Sequence, residues 1–158
     1  PKNGFFYVID RRTGELISAE PFADVNWATH VDLETGRPVE VEGARYEEDR
    51  FNVMPGPWGA HSWHAMSFNP DTGLVYIPTL HMKLGFDDAG IDRESFQSVP
   101  FRGGVGANIT WPADQPRPYP ASLQAWDPVA NQRVWEIPQD HFWSGGTLTT
   151  AGNLVFQG

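Results

Sequence analysis

The chain has 158 residues, and 11 basic against 20 acidic side chains give a formal net charge of −9, which argues against nucleic acid as a partner because phosphate binding needs clustered Lys and Arg. No stretch approaches the ~20 consecutive apolar residues of a membrane helix, and the lack of cysteine excludes an internal disulfide framework and thiol catalysis. Seven Trp and ten Phe, set among 16 Gly and 14 Pro, point to packed short elements rather than low-complexity disorder.

The first segment, Phe5-Phe6-Tyr7-Val8-Ile9, is aromatic and β-branched, and Asp10-Arg11-Arg12-Thr13-Gly14 separates it from the apolar Glu15-Leu16-Ile17-Ser18-Ala19. This pattern predicts a hairpin: Asp at the start of the turn accepts hydrogen bonds from backbone amides two residues on, and Gly at its end supplies a positive φ. The same pattern recurs at Asp32–Gly36, at Asn69–Gly73 between residues 65–68 and 74–78, and at Asp127–Asn131 between residues 123–126 and 133–137. In the last of these Asn131 replaces Gly, as Asn tolerates the left-handed region. Residues 146–156 form a further strand, turn and strand. Two stretches interrupt the rhythm and are read as insertions: residues 38–58, acidic through Glu40, Glu42, Glu47, Glu48 and Asp49, and residues 81–120, rich in Gly and Pro. Residues 87–98 leave room for one or two helical turns.

Short strands joined by repeated turns, with little 3.6-residue periodicity, predict an all-β chain of antiparallel hairpins with long loop insertions. Repetition of one hairpin type favours a partial β-propeller over a sandwich, since a bulky aromatic such as Trp135 can pack against the next sheet. About two blades are present where a closed propeller has ~4–8. The expected organisation is a fragment of one propeller domain spanning 1–158: residues 1–22 end one blade, 60–138 form the next with 81–120 inserted, and 143–158 start another. Open sheet edges in such a fragment invite self-association.

Several blocks carry a family resemblance. Lys2-Asn3-Gly4-Phe5-Phe6-Tyr7-Val8-Ile9-Asp10-Arg11, Val25-Asn26-Trp27, Val31-Asp32-Leu33-Glu34-Thr35-Gly36-Arg37-Pro38, Met66-Ser67-Phe68-Asn69-Pro70 and Trp143-Ser144-Gly145-Gly146-Thr147 resemble the methanol/ethanol dehydrogenase family of quinoproteins. These enzymes use pyrroloquinoline quinone (PQQ). Ala125, Asp127 and Trp135 resemble its tryptophan-docking repeat, with Ala130-Asn131 where Thr-Gly is usual. The resemblance spans nearly the whole chain and is weaker in the two insertions.

It implies an eight-bladed propeller with PQQ and Ca²⁺ near its axis, of which this chain is the C-terminal part. The implied reaction oxidises a primary alcohol to an aldehyde by hydride transfer to PQQ, with an aspartate base and a divalent ion polarising the quinone oxygen. Lys2 matches the family's cation at the quinone oxygens, where reduction places negative charge. Trp143 matches a tryptophan at the quinone edge. Ser62, in Gly59-Ala60-His61-Ser62, stands where the family has Asn, and its shorter hydroxyl reaches the quinone directly or through a water. The base, the Ca²⁺ ligands and the stacking tryptophan of the family precede Lys2, so no catalytic residue and no metal ligand is expected in the chain, and the fragment alone is expected to be inactive. A periplasmic location and a cytochrome c acceptor, with haem c in an attached domain or a partner, are implied as well. The alternative is a non-catalytic propeller segment serving as a binding or assembly module.

Other patterns have plainer readings. His61 and His64, with His81, Asp87 and Asp88, could suggest a metal cluster, but three-residue spacing gathers two imidazoles only on a helix, and the flanking Trp and Phe favour loop and strand. Glu47-Glu48-Asp49 reads as a solvated loop rather than paired catalytic carboxylates. Gly103-Gly104-Val105-Gly106 does not sit between a strand and a helix, as a phosphate cradle would.

Overall fold

The computed structural model describes residues 1–46, 49–92, 94 and 107–158. Among these it contains strands β1 (Phe5–Ile9), β2 (Leu16–Pro21), β3 (Ala28–Val31), β4 (Pro38–Glu40), β5 (Phe51–Val53), β6 (Ser67–Asn69) and β7 (Leu74–Leu80). These are followed by β8 (Leu84–Asp87), β9 (Asn108–Thr110), β10 (Ala121–Asp127), β11 (Gln132–Gln139), β12 (Thr147–Thr149) and β13 (Val155–Gln157). No helix occurs among the described residues. The turn expected over 87–98 is not found at 87–92, where β8 ends and a short turn follows, and residues 93 and 95–98 lie outside the described set. Glu47, Glu48 and Gly103–Gly106 also lie outside it.

Local turn chemistry builds the hairpins. Asp10 Oδ1 accepts from the Arg12 amide at 2.7 Å, Asp32 Oδ1 from Glu34 at 2.8 Å, Asn69 Oδ1 from Asp71 at 2.9 Å, and Asp127 Oδ1 from Val129 at 2.8 Å. Each turn closes on a residue with positive φ: Gly14 at 78°, Gly36 at 69°, Gly73 at 71° and Asn131 at 54°. In the last hairpin that role falls to Asn153, φ 58°, rather than to the neighbouring Gly152.

One four-stranded antiparallel sheet, ordered β6-β7-β10-β11, forms the centre. Strand β10 is buried from Ala121 to Trp126 because both faces of the sheet are covered. On one face Ile77 and Trp126 pack with Phe22 and Ala60, and Phe6 of β1 lies against Trp126 at a ring separation of 5.9 Å. On the other face Tyr76, Leu123 and Ala125 form a cluster joined by Trp135 and by Val155 of β13. Burying a side chain such as Ile77 contributes about 2–3 kcal/mol, so these two interfaces hold the β1–β2 hairpin, the central sheet and the β12–β13 hairpin face to face. Trp135 stacks chiefly within its own sheet, 5.7 Å from Tyr76. The more buried docking tryptophan is Trp126, 3% exposed, a residue the sequence pattern did not single out.

The two insertions are not independent loops. Strand β5 from the first pairs with β8 from the second, and β8 with β9, in a separate three-stranded sheet. Arg50 bridges to Asp87 across it at 2.7 Å.

A polar network anchors the C-terminal end of the second insertion. Arg117 donates to Asp24 at 2.8 Å, to Glu136 of β11 at 3.1 Å and to the Tyr119 hydroxyl at 3.0 Å. Burial opposes the charge on Arg117, but these oxygens outweigh it and raise the guanidinium pKa above its ordinary value. His81 is enclosed beside them, its Nε2 at 2.7 Å from Ser122 Oγ and 3.1 Å from Glu136 Oε1. Burial and the nearby Arg117 charge outweigh the pull of Glu136 and Asp24 and lower the His81 pKa to about 4.

This has a pH signature. Between about pH 6.5 and 4 the unfolded chain carries a proton on His81 that the folded chain excludes, so the stabilisation is present above pH 6.5 and is lost as pH falls toward 4. The loss expected is about 2–3 kcal/mol. Urea midpoints measured from pH 7 to pH 4 should fall more steeply for the native chain than for His81→Gln; parallel curves would contradict the assignment.

Candidate functional site

Lys2 enters β1 with its backbone held from several sides. Its carbonyl accepts from the Ala60 amide at 3.0 Å, and the next carbonyl, of Asn3, accepts from Trp27 Nε1 at 3.1 Å. Asn3 itself donates to the Tyr7 hydroxyl at 2.7 Å and caps the Phe5 amide at 3.2 Å. The Lys2-Asn3-Gly4 and Val25-Asn26-Trp27 blocks are thus parts of one hydrogen-bonded unit. Gly59 touches Lys2 so closely that an added Cβ would lie 2.5 Å from Lys2 Cβ. While its backbone is fixed, the exposed Lys2 ammonium has no hydrogen-bond or ion-pair partner among the described residues.

The loop from Trp58 to His64 runs from this contact toward Trp143. His61 is buried, its Nδ1 lying 2.8 Å from the Pro78 carbonyl. Ser62 follows, half-buried, with a hydroxyl unpartnered among the described residues. The His64 ring stacks on Trp63 at 4.2 Å and lies 5.2 Å from the Trp143 ring. Beyond, Trp143 contacts Phe142 at 4.5 Å, Phe142 contacts Trp58 at 5.2 Å, and Trp58 contacts Trp111 of the second insertion at 5.7 Å. The glycines after Trp143 are required by packing: a Cβ on Gly146 would lie 2.8 Å from the Ala65 amide nitrogen, and one on Gly145 would lie 2.7 Å from the Gly158 carbonyl oxygen. Burial pushes the His61 and His64 imidazoles below the ordinary histidine value, favouring their neutral forms.

Lys2, Ser62 and Trp143 therefore contact one loop at successive positions. They offer an ammonium, a hydroxyl and an indole N–H without partners among the described residues. That donor set suits an anionic, oxygen-rich planar ligand. The histidines do not act together: His81 belongs to the Arg117 network, and among the described residues no three His, Asp or Glu side chains gather as a metal site. The sequence reading missed Gly59 and the aromatic row from Trp111 to Trp63. Gly in Gly59-Ala60-His61 was the available sign of a close backbone approach.

Antiparallel sheets stacked face to face, two of them cut to hairpins, define a partial β-propeller. No family model matches the chain. Among curated proteins, it is 50% identical over its full length to quinohemoprotein alcohol dehydrogenase ADH IIB of Pseudomonas putida, covering 22% of that protein. It is 43% identical to 1-butanol dehydrogenase (cytochrome c) of Thauera butanivorans, again over its full length and 23% of that protein. Among solved structures, quinohemoprotein alcohol dehydrogenase from Comamonas testosteroni superposes with a TM-score of 0.80 at 43% identity, over 99% of this chain and 24% of that one. A europium-containing methanol dehydrogenase gives 0.80 at 32% identity, over 99% and 27%. Over its whole length the chain is similar to one segment of these quinoprotein dehydrogenases, and it spans about a quarter of the length of these relatives.

Proposed function

We propose that this chain is part of the propeller of a periplasmic PQQ-dependent enzyme that oxidises primary alcohols to aldehydes. Lys2, Trp143 and Ser62 contact the cofactor. The carrying observation is Lys2, whose backbone is pinned to Ala60 while its ammonium is left unpaired. Bound PQQ would supply the two-electron acceptor. Within the chain, the Lys2 ammonium offsets negative charge at the quinone oxygens, the Trp143 indole N–H donates at the cofactor edge, and Ser62 donates directly or through a water. Neutral histidines beneath them add no competing charge.

In this reading residues 1–22 close one blade, 60–138 form the next with 81–120 inserted, and 143–158 open another. The base and the Ca²⁺ ligands come from elsewhere in the ring, and a cytochrome c, attached or separate, takes the electrons. The segment by itself turns over no alcohol and uses its open edges to self-associate. The second reading, a binding or assembly module without chemistry, draws on the exposed aromatic row ending at Trp111, 60% exposed.

The test is Lys2→Ala in the parent protein, titrated with PQQ in the presence of Ca²⁺ and assayed by dye-linked alcohol oxidation. Loss of a charge-assisted hydrogen bond is expected to weaken cofactor binding and slow its reduction by roughly 10–100-fold. Unchanged turnover at saturating PQQ removes Lys2 from the site. A parent protein that never reduces the dye favours the module, and dye reduction by the isolated segment overturns the placement of the base and metal ligands.

A further inference from the structure

The three buried histidines of the described residues are held in different ways. His61 is tied to the Pro78 carbonyl and His81, through Nε2, to the Ser122 hydroxyl. His64 is 5% exposed, yet its Nε2 is buried without a hydrogen-bond partner. Its ring stacks on Trp63 at 4.2 Å with 24° between planes and packs against Trp143 at 5.2 Å, tilted by 37°, while the two indoles meet each other at 6.2 Å. Both indoles are open to solvent, Trp63 at 80% and Trp143 at 44%. Apart from His64, the rings against Trp143 are Phe142 at 4.5 Å and Trp63 at 6.2 Å, neither of them buried, and ordering a loosely packed side chain at binding opposes affinity. The buried member of the stack is the imidazole, so the direction of support runs from His64 outward. Thr147, four residues beyond Trp143, donates its amide to the Ala65 carbonyl beside His64 at 2.8 Å, which ties the two segments together at that point.

We infer that His64 is a positioning residue for Trp143, a fixed aromatic face that holds the indole in the orientation in which its N–H meets the cofactor. The inference rests on the proposed cofactor contact of Trp143. It assigns to His64 no contact of its own, since Nε2 is buried.

The test compares His64→Ala, His64→Phe, Trp143→Phe and the double variant His64→Ala/Trp143→Phe in the parent protein. Two readouts are used: near-ultraviolet circular dichroism of the cofactor-free protein, and PQQ affinity from absorbance titration. His64→Ala should remove the part of the indole signal that depends on Trp143 and weaken PQQ binding by roughly five- to tenfold, the worth of one or two aromatic pairs. His64→Phe, which keeps a planar face, should restore both. On the Trp143→Phe background His64→Ala should change affinity less than twofold. Independent effects in the double variant, or a Phe variant no better than Ala, would overturn the inference. If His64→Ala does not fold, His64→Leu, of similar volume without a planar ring, takes its place. If Trp143→Phe alone leaves PQQ affinity unchanged, the cofactor contact itself is wrong, and the dichroism still judges whether His64 orders the indole.

Discussion

Gly59→Ala is expected to damage the site at least as much as removing the Lys2 side chain. Gly59 has φ 81°, a region where an added Cβ is strained, and that Cβ would fall 2.5 Å from Lys2 Cβ and 2.6 Å from both Cα and Cγ. Backbone cannot yield as a flexible side-chain tip can. Relief requires moving either Lys2 or the loop, and the hydrogen bonds from Ala60 to Lys2 and from Gly59 to Gly56 resist both. Left-handed strain and overpacking together should cost about 3–4 kcal/mol, seen as a lower urea midpoint, and PQQ affinity should fall at least as far as in Lys2→Ala. Gly14→Ala is the control, with φ 78° but open space around the new methyl. It should cost about 1–2 kcal/mol and leave cofactor binding unchanged. Equal effects at the two glycines would refute the proposed packing role.

Arg117→Ala carries the second large effect. Its guanidinium joins Asp24, just after β2, to Glu136 of β11, and its side chain is only 19% exposed. Removing it strands two carboxylates. Fully buried pairs lose 3–5 kcal/mol on such a change, but Asp24 is 37% exposed and Arg133 stays 2.8 Å from Glu136, so about 2–3 kcal/mol is expected here. Burial is the main cause of the low His81 pKa, but His81 would also lose the Arg117 charge that adds to it, and the fall in stability between pH 6.5 and 4 should shrink. Arg117→Lys should recover less than half of the lost stability, since an ammonium cannot fork between Asp24, Tyr119 and Glu136. A wild-type urea midpoint and pH profile for Arg117→Ala would show that the network is a solvated surface pair.

The hairpins were legible because their information is local. Asp10 caps an amide two residues away and Gly14 closes the same turn, so five adjacent residues state the whole device. The need for glycine in Trp143-Ser144-Gly145-Gly146 was not legible, because Ala65 and Gly158, which leave no room for a Cβ there, come from distant parts of the fold. The role of Trp135 was only partly legible: alternation along β11 puts its ring on one face, but the residue it meets, Tyr76, lies on β7, two strands across the sheet.

By itself the sequence determined the β1–β2, β6–β7, β10–β11 and β12–β13 hairpins, the turns and the all-β class, since each depends on hydrogen bonds and alternation over a few neighbouring residues, whereas β4, β5, β8 and β9 lie inside the two stretches it left as insertions. The tertiary structure decided the pairing of β5 with β8, the buried clamp from Gln124 to the Phe22 carbonyl, 102 positions away, and the contact of His64 with Trp143. In each of these the partner comes from a part of the chain distant in sequence. No spacing rule along the chain encodes which distant face will close over a given side chain, because that choice is made by the shape and desolvation of the assembled sheets.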